Sequence, residues 1–206
     1  MNQYKDYQWK NSKFTNAHSI FMKPIIKMLP KDGSAILDVG CGNGSFANYL
    51  IKNGYNVYGT DASVTGIQIA NEQNPGRFYL QDVTKDDIPS EMEHIKFKTI
   101  ISTEVIEHLY SPRLYIQFCK SILNKAGGGN IIISTPYHGY LKNLVLSLIN
   151  AWDTHFTVLW DGGHIKFWSV NTLTELLNEF SFKIVDFKGC GRAPFLWKSM
   201  LINAKL

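Results

Sequence analysis

The sequence predicts one α/β domain with a doubly wound, mostly parallel seven-stranded sheet and an antiparallel hairpin at its C-terminal end. Three observations predict it. Short apolar runs alternate with segments of helical periodicity between residues 34 and 135, the pattern of repeated strand–helix–strand units. The first of these runs ends in Asp38 and turns through Gly40, Gly42 and Gly44, which reads as a buried strand leaving through a tight loop into a helix. Last, two strand-like runs at 182–189 and 195–205 are joined by Gly189-Cys190-Gly191-Arg192. With 206 residues the chain is long enough for one full core.

The elements follow in order. Residues 1–12 are polar and aromatic and are expected to form an arm over a bound ligand or a frayed end. With a helix over 13–29, halted by Pro30, they make an N-terminal unit of residues 1–30. Strands are expected at 34–39, 55–60, 77–81, 97–103 and 130–135. A helix over 43–53 carries Phe46, Leu50 and Ile51 on one side, and Gly54 suits its C-terminal turn. Ser63 is a suitable N-cap for a helix over 63–73. Ser111-Pro112 opens the next, with proline at the first helical position and Leu114, Tyr115, Phe118 and Ile122 as its stripe. Gly127-Gly128-Gly129 stops it. Near the end, Ser169 caps a helix that buries Leu173, Leu176, Leu177 and Phe180. Residues 137–168 are an insertion beside the crevice of an open α/β sheet. Leu141, Leu144, Val145, Leu148, Ile149 and Trp152 recur there at helical spacing, followed by His155, Phe156, Trp160, His164, Phe167 and Trp168. Two readings stand for this stripe: a lid lining an acceptor pocket, or additional core.

Composition narrows the function. A net charge of +4 without any Lys/Arg run argues against a nucleic-acid arm. Cys41, Cys119 and Cys190 are far apart and odd in number, so neither a disulfide framework nor a zinc pattern emerges; a reducing cytoplasm is the expected setting. The polar N-terminus gives no signal peptide, and no apolar run reaches the ~18 residues of a membrane span.

The glycine turn carries the chemistry. Glycines let a ligand approach the backbone, and the helix that follows points free N–H groups at the same place. Asp61 ends the next apolar run, where a carboxylate can accept both hydroxyl protons of a ribose. A nucleoside-containing cofactor follows. The spacing is G-x-G-x-G with Ser45 next, not the dinucleotide G-x-G-x-x-G, and no Walker-type G-K-[ST] is present.

The nonamer Ile36-Leu37-Asp38-Val39-Gly40-Cys41-Gly42-Asn43-Gly44 resembles motif I of the class I S-adenosylmethionine (SAM)-dependent methyltransferases. The likeness continues through Asp61, Gln81-Asp82-Val83 and the stretch Ile100–Leu109, and so covers roughly residues 34–135. Within that family the last stretch is similar to the ubiquinone-biosynthesis O-methyltransferases. The resemblance implies a Rossmann-like fold with a reversed last strand, SAM as cofactor and a set of residues to hold it. Asp38 would fix the loop amides or the methionine ammonium, Gly40, Gly42 and Gly44 the backbone contact, and Cys41 a backbone group only. Asp61 with Ala62 would take the ribose, Asp82 and Val83 the adenine, and Thr103 and Glu104 would complete the set.

Glu104, Glu107 and His108 form E-x-x-E-H directly after the fourth strand. Two carboxylates and an imidazole this close can bind a divalent ion or supply a general base. In terminal 2′-O-methyltransferases of small RNAs, which share this cluster, a later histidine joins it around a metal; His164 is its counterpart here. Glu104, Glu107, His108 and His164 are thus the candidate ligands of Mg²⁺ or Zn²⁺, and Glu107, His108 and His164 the candidate catalytic residues. The bland reading keeps Glu104 on the cofactor, Glu107 as a helix cap and His108 as a structural hydrogen bonder. The expected function is O-methylation of a small-molecule hydroxyl on a phenolic, quinone-precursor or sugar acceptor. An RNA terminal 2′-O-methyltransferase and a non-catalytic SAM-binding module are the competing readings.

Overall fold

The computed structural model describes residues 6–15, 18–85, 87–156 and 158–206. Its centre is a seven-stranded sheet made of β1 (Ala35–Val39), β2 (Val57–Asp61), β3 (Phe78–Leu80), β4 (Phe97–Thr103), β5 (Asn130–Pro136), β6 (Lys183–Cys190) and β7 (Ser199–Lys205). The order across the sheet is β3-β2-β1-β4-β5-β7-β6. Strands β1 to β5 pair in parallel, and β7 runs antiparallel between β5 and β6. The doubly wound sheet with a terminal hairpin is therefore the one the sequence predicts.

Alternation along the strands sorts their side chains into two cores. Leu37, Ile100, Ile131, Ile133, Met200 and Ile202 face α4 (Pro112–Lys125) and α7 (Val170–Glu179). Their neighbours Ile36, Ile101, Ile132 and Leu201 face α1 (His18–Met28), α2 (Ser45–Lys52) and α3 (Val64–Gln73). Both faces are covered, which is why every residue of β1 is buried and all but Asp38 are apolar. Each of these isoleucines and leucines removed from water contributes about 1.5–3 kcal/mol. The caps agree with the sequence at two helices: Ser63 accepts from the Gly66 amide, and Ser169 forms a reciprocal capping box with Thr172.

Two boundaries differ most. The first helix begins at His18, where the Thr15 carbonyl accepts from the His18 amide at 3.1 Å, so residues 13–15 stay outside the helix expected from 13. Residues 1–5 of the expected arm and 16–17 of that helix lie outside the described residues. The last strand begins at Ser199; Phe195 turns through φ 64°, and Trp197 folds back onto the β6 residue Gly189, which takes 195–198 out of the sheet.

The 137–168 insertion contains α5 (Tyr140–Leu148) and α6 (Trp152–Phe156). Its apolar stripe faces outward: Leu141, Leu144, Leu148, Ile149 and Trp152 are all exposed, while Lys142 and Leu146 are buried. The reading of that stripe as additional core is overturned. The helix turns its lysine inward because the Lys142 ammonium reaches the Tyr137 carbonyl at 2.6 Å. Among the described residues, no helix is long and apolar enough to cross a membrane.

Candidate functional site

The connections leaving β1 and β4 diverge to opposite sides of the sheet, so the crevice at their C-terminal ends is the switch point where open α/β sheets hold ligands. Gly40, Gly42 and Gly44 there have φ of 76°, 55° and 68°, left-handed conformations that glycine adopts without penalty. They also admit close neighbours. A Cβ on Gly40 would collide with Val105 of the turn after β4, one on Gly42 with the Trp9 ring, and one on Gly44 with Ala70 of α3. The glycine loop thus touches the E-x-x-E-H turn directly.

Asp61 organises this loop. Its Oδ2 accepts from the Gly42 amide and its Oδ1 from the Ser63 amide, both at 2.8 Å, leaving lone pairs on each oxygen for a further donor. Asp38 is buried, and its Oδ1 has no partner among the described residues. Burial, with the nearby Asp61 charge, pushes its carboxyl up to about 8. Burial raises Asp61 as well, against the amide bonds that lower it. The Cys41 sulfur packs toward Gly59, and burial raises its thiol well above the ordinary range. Ala62 and Thr103 are half-buried at the ends of β2 and β4.

Residues of the arm lie on this loop. Asp6 accepts from the Ser63 and Thr65 hydroxyls at 2.6 and 2.8 Å. The Trp9 amide donates to Thr65 at 3.0 Å, and the Asn43 side chain donates to the Asn11 and Lys13 carbonyls. Tyr7 lies tilted against Trp9 at 4.6 Å and meets Trp160 edge-on at 5.9 Å. Asp82 caps its own turn: Oδ1 accepts from the Thr84 amide and hydroxyl, and Oδ2 pairs with Lys85 at 2.6 Å. Burial raises its carboxyl, but the bonds from Lys85 and Thr84 outweigh this and hold it below the usual range. Val83 beside it is half-buried against the core.

The turn after β4 separates its two glutamates. Glu104 sits at φ 56°, a strained conformation for a non-glycine residue. Its Oε1 accepts from Ser134 and Ser199 at 2.9 and 2.8 Å, which turns the side chain back toward β5 and β7. Glu107 is fully buried; Oε2 accepts from Thr135 at 3.0 Å, and Oε1 has no partner among the described residues. Burial, then the Glu104 charge, raises its carboxyl well above the usual range. The Glu107 carbonyl accepts from the Ile165 and Lys166 amides at 2.9 and 3.0 Å, which pulls the end of the insertion over this turn. His164 arrives with it, and its ring lies 4.8 Å from that of His108. Glu107, His108 and His164 bring one ligand atom each to within 4.8 Å of one another; Glu104 stays outside this group. Burial lowers the basicity of both histidines, that of His164 to about 4.

A cavity of about 260 Å³ adjoins His164. His138, His155, Lys142, Arg192 and Lys198 line it together with Phe156. Sequence reasoning missed Lys142, Arg192 and Lys198, and missed Trp9 on the glycine loop. The one signal for Lys142 was a cation interrupting the apolar spacing of α5; nothing local pointed to Arg192 or Lys198.

These features define a Rossmann-like methyltransferase. The chain belongs to the methyltransferase domain family, whose model matches residues 15–186, and it is a class I SAM-dependent methyltransferase. Among curated relatives it is similar to the ubiquinone biosynthesis O-methyltransferase of Cereibacter sphaeroides, 26% identical over 90% of this chain and 75% of that one. The protein of the same name from Roseobacter denitrificans is 30% identical over 86% of this chain and 71% of the relative. Among solved structures, the fold is shared with a magnesium protoporphyrin IX methyltransferase from Synechocystis with bound SAH (TM-score 0.64, 21% identity, covering 89% and 80% of the two chains). It is shared too with a SAM-dependent methyltransferase from Mesorhizobium loti (TM-score 0.69, 18% identity, covering 90% and 97%).

Proposed function

We propose that this methyltransferase acts on a hydroxyl of a small molecule, and that Glu107, His108 and His164 form the acceptor side of the reaction. The observation that carries this reading is their convergence within 4.8 Å on the turn whose Val105 packs against Gly40 of the cofactor loop. SAM supplies an activated methyl on a sulfonium, so the protein has mainly to align the nucleophile and exclude water.

The residues fit that cofactor. The unpartnered, buried Asp38 oxygen suits the methionine ammonium, and the free lone pairs of Asp61 suit the ribose diol. Ala62 and Cys41 contribute backbone. Val83 flanks the adenine, and Asp82, committed to Thr84 and Lys85, shapes its turn. Thr103 and Glu104 close the β4 end, where Glu104 braces Ser134 and Ser199 rather than facing the acceptor. On the other side, a neutral His108 can take the hydroxyl proton. Its ring is oriented by the Gly163 carbonyl at 3.2 Å. One carboxylate with an unpartnered oxygen and two imidazoles also suit Mg²⁺ or Zn²⁺, which would lower the pKa of a bound hydroxyl. The curated relatives are named ubiquinone biosynthesis O-methyltransferases, which supports transfer to oxygen on a small molecule.

The test is calorimetry with SAM and SAH, followed by transfer of labelled methyl from SAM to phenols, sugars and RNA. Label on a small hydroxyl compound is the expected result. Cofactor binding without transfer to any of them, or transfer to RNA alone, would displace this reading.

A further inference from the structure

We infer that the acceptor carries an anionic group, a carboxylate or a phosphate, and that Lys142, Arg192 and Lys198 hold it in the cavity beside His164. The inference rests on the methyl-transfer reading only for where the reacting hydroxyl lies.

The cavity wall is cationic. Among the described residues, three cations and three histidines line it, and no carboxylate does. The ion pairs between described residues lie elsewhere, at Lys85–Asp82 and Arg113–Glu179. Lys142 is only 4% exposed, yet among the described residues its hydrogen-bond partner is a neutral carbonyl, that of Tyr137. Glu104, the one acid that acts on it, has an oxygen already engaged by Ser134 and Ser199. A buried ammonium whose one acidic neighbour is engaged by other groups is poorly compensated, and a ligand oxyanion would supply the missing charge.

The neighbouring groups respond in one direction. Burial and Arg192 lower Lys142 to about 8. Burial, Lys142 and the other histidines lower His138 to about 4. These basic groups face one another across one small space, so each added positive charge repels the rest, and an anion would relieve all of them together. His138 is itself buried with no partner for its Nδ1 among the described residues. It stacks on Phe156 at 5.7 Å and meets Phe167 at 5.2 Å, which gives the anion site an aromatic wall.

Position links this site to the chemistry. His164 belongs both to the cavity wall and to the cluster with Glu107 and His108. A small molecule held by its anionic end at Lys142, Arg192 and Lys198 would therefore reach the reacting cluster with a hydroxyl a few atoms away. Arg192 and Lys198 sit on the β6–β7 connection, so this hairpin contributes specificity beyond completing the sheet.

The experiment titrates benzoate, phenyl phosphate and neutral benzyl alcohol into the full chain, with and without SAH. Both charged probes should bind at least about tenfold more tightly than the alcohol, as charge-assisted contacts predict. In the Arg192→Gln/Lys198→Gln variant that preference should fall below about threefold while SAH affinity stays unchanged; both side chains are exposed, so the fold does not depend on them. A lead for phenyl phosphate would make the group a phosphate, and a lead for benzoate a carboxylate; either supports the site. Equal binding of charged and neutral probes, binding of none, or a preference that survives the double substitution would overturn it. SAH affinity is read in the same titration, so failure of cofactor binding is distinguishable from failure of the anion site.

Discussion

The cofactor side and the acceptor side of the crevice are built by different means. On the cofactor side, a few consecutive residues form a left-handed glycine turn, and Asp61 ties its Gly42 amide to the Ser63 amide at the start of α3. The geometry is mostly main chain and local in sequence. On the acceptor side, Glu107, His138, Lys142, His164 and Arg192 come from separate segments and meet only after the insertion folds back onto the Glu107 carbonyl. The first arrangement serves a cofactor of fixed shape. The second combines buried side chains with Arg192 on an exposed connection, which can change without disturbing the sheet.

If the two sides are separable, substitutions on one should leave the other intact. The largest effect is expected from His108→Ala/His164→Ala: turnover should fall about a thousandfold, within the range for loss of acid–base groups, while calorimetric SAM affinity is unchanged. Equal losses in both would break the comparison. Next, Asp61→Ala should weaken SAM binding about 100-fold, since charge-assisted bonds are worth about 1.5–3 kcal/mol each; wild-type affinity in that variant would refute its place at the ribose.

A third effect concerns stability rather than binding or turnover. Asp38 in the folded, ligand-free protein is raised to about 8, against about 3.9 in an unfolded chain. The folded state keeps a proton that the unfolded state has already lost, so this contribution is full below about pH 4 and declines as pH rises through the folded value. Asp38→Asn should lack that slope. Melting temperatures between pH 5 and 8 should therefore fall more steeply for the natural chain than for the variant, and parallel curves would show that Asp38 is not the group responsible.

The same contrast explains what the sequence made legible. The strands, the hairpin and the glycine–Asp61 pair could be read because periodicity and turn chemistry act over a few residues. The convergence of His108 with His164 was legible only through resemblance, since no local rule brings a residue of the insertion to the end of β4. The outward stripe of α5 misled because helical spacing shows that an apolar face exists, not which way it turns. There Lys142 and Leu146 turn inward, while Leu141, Leu144, Leu148, Ile149 and Trp152 face out. The cavity cations were illegible for the same reason: Arg192 and Lys198 acquire meaning only once β7 inserts beside β5.

That insertion bears on how the molecule is made. During synthesis β6 leaves the ribosome before β7, yet its only partner in the sheet is β7. Until residues 199–205 exist, the outer edge of β5 stays unpaired, and open edges invite association with other chains. Arg192 and Lys198 are then not yet beside Lys142. The glycine turn and Asp61 lie wholly in earlier sequence, so the cofactor side does not need this strand, whereas the pocket that chooses the acceptor does.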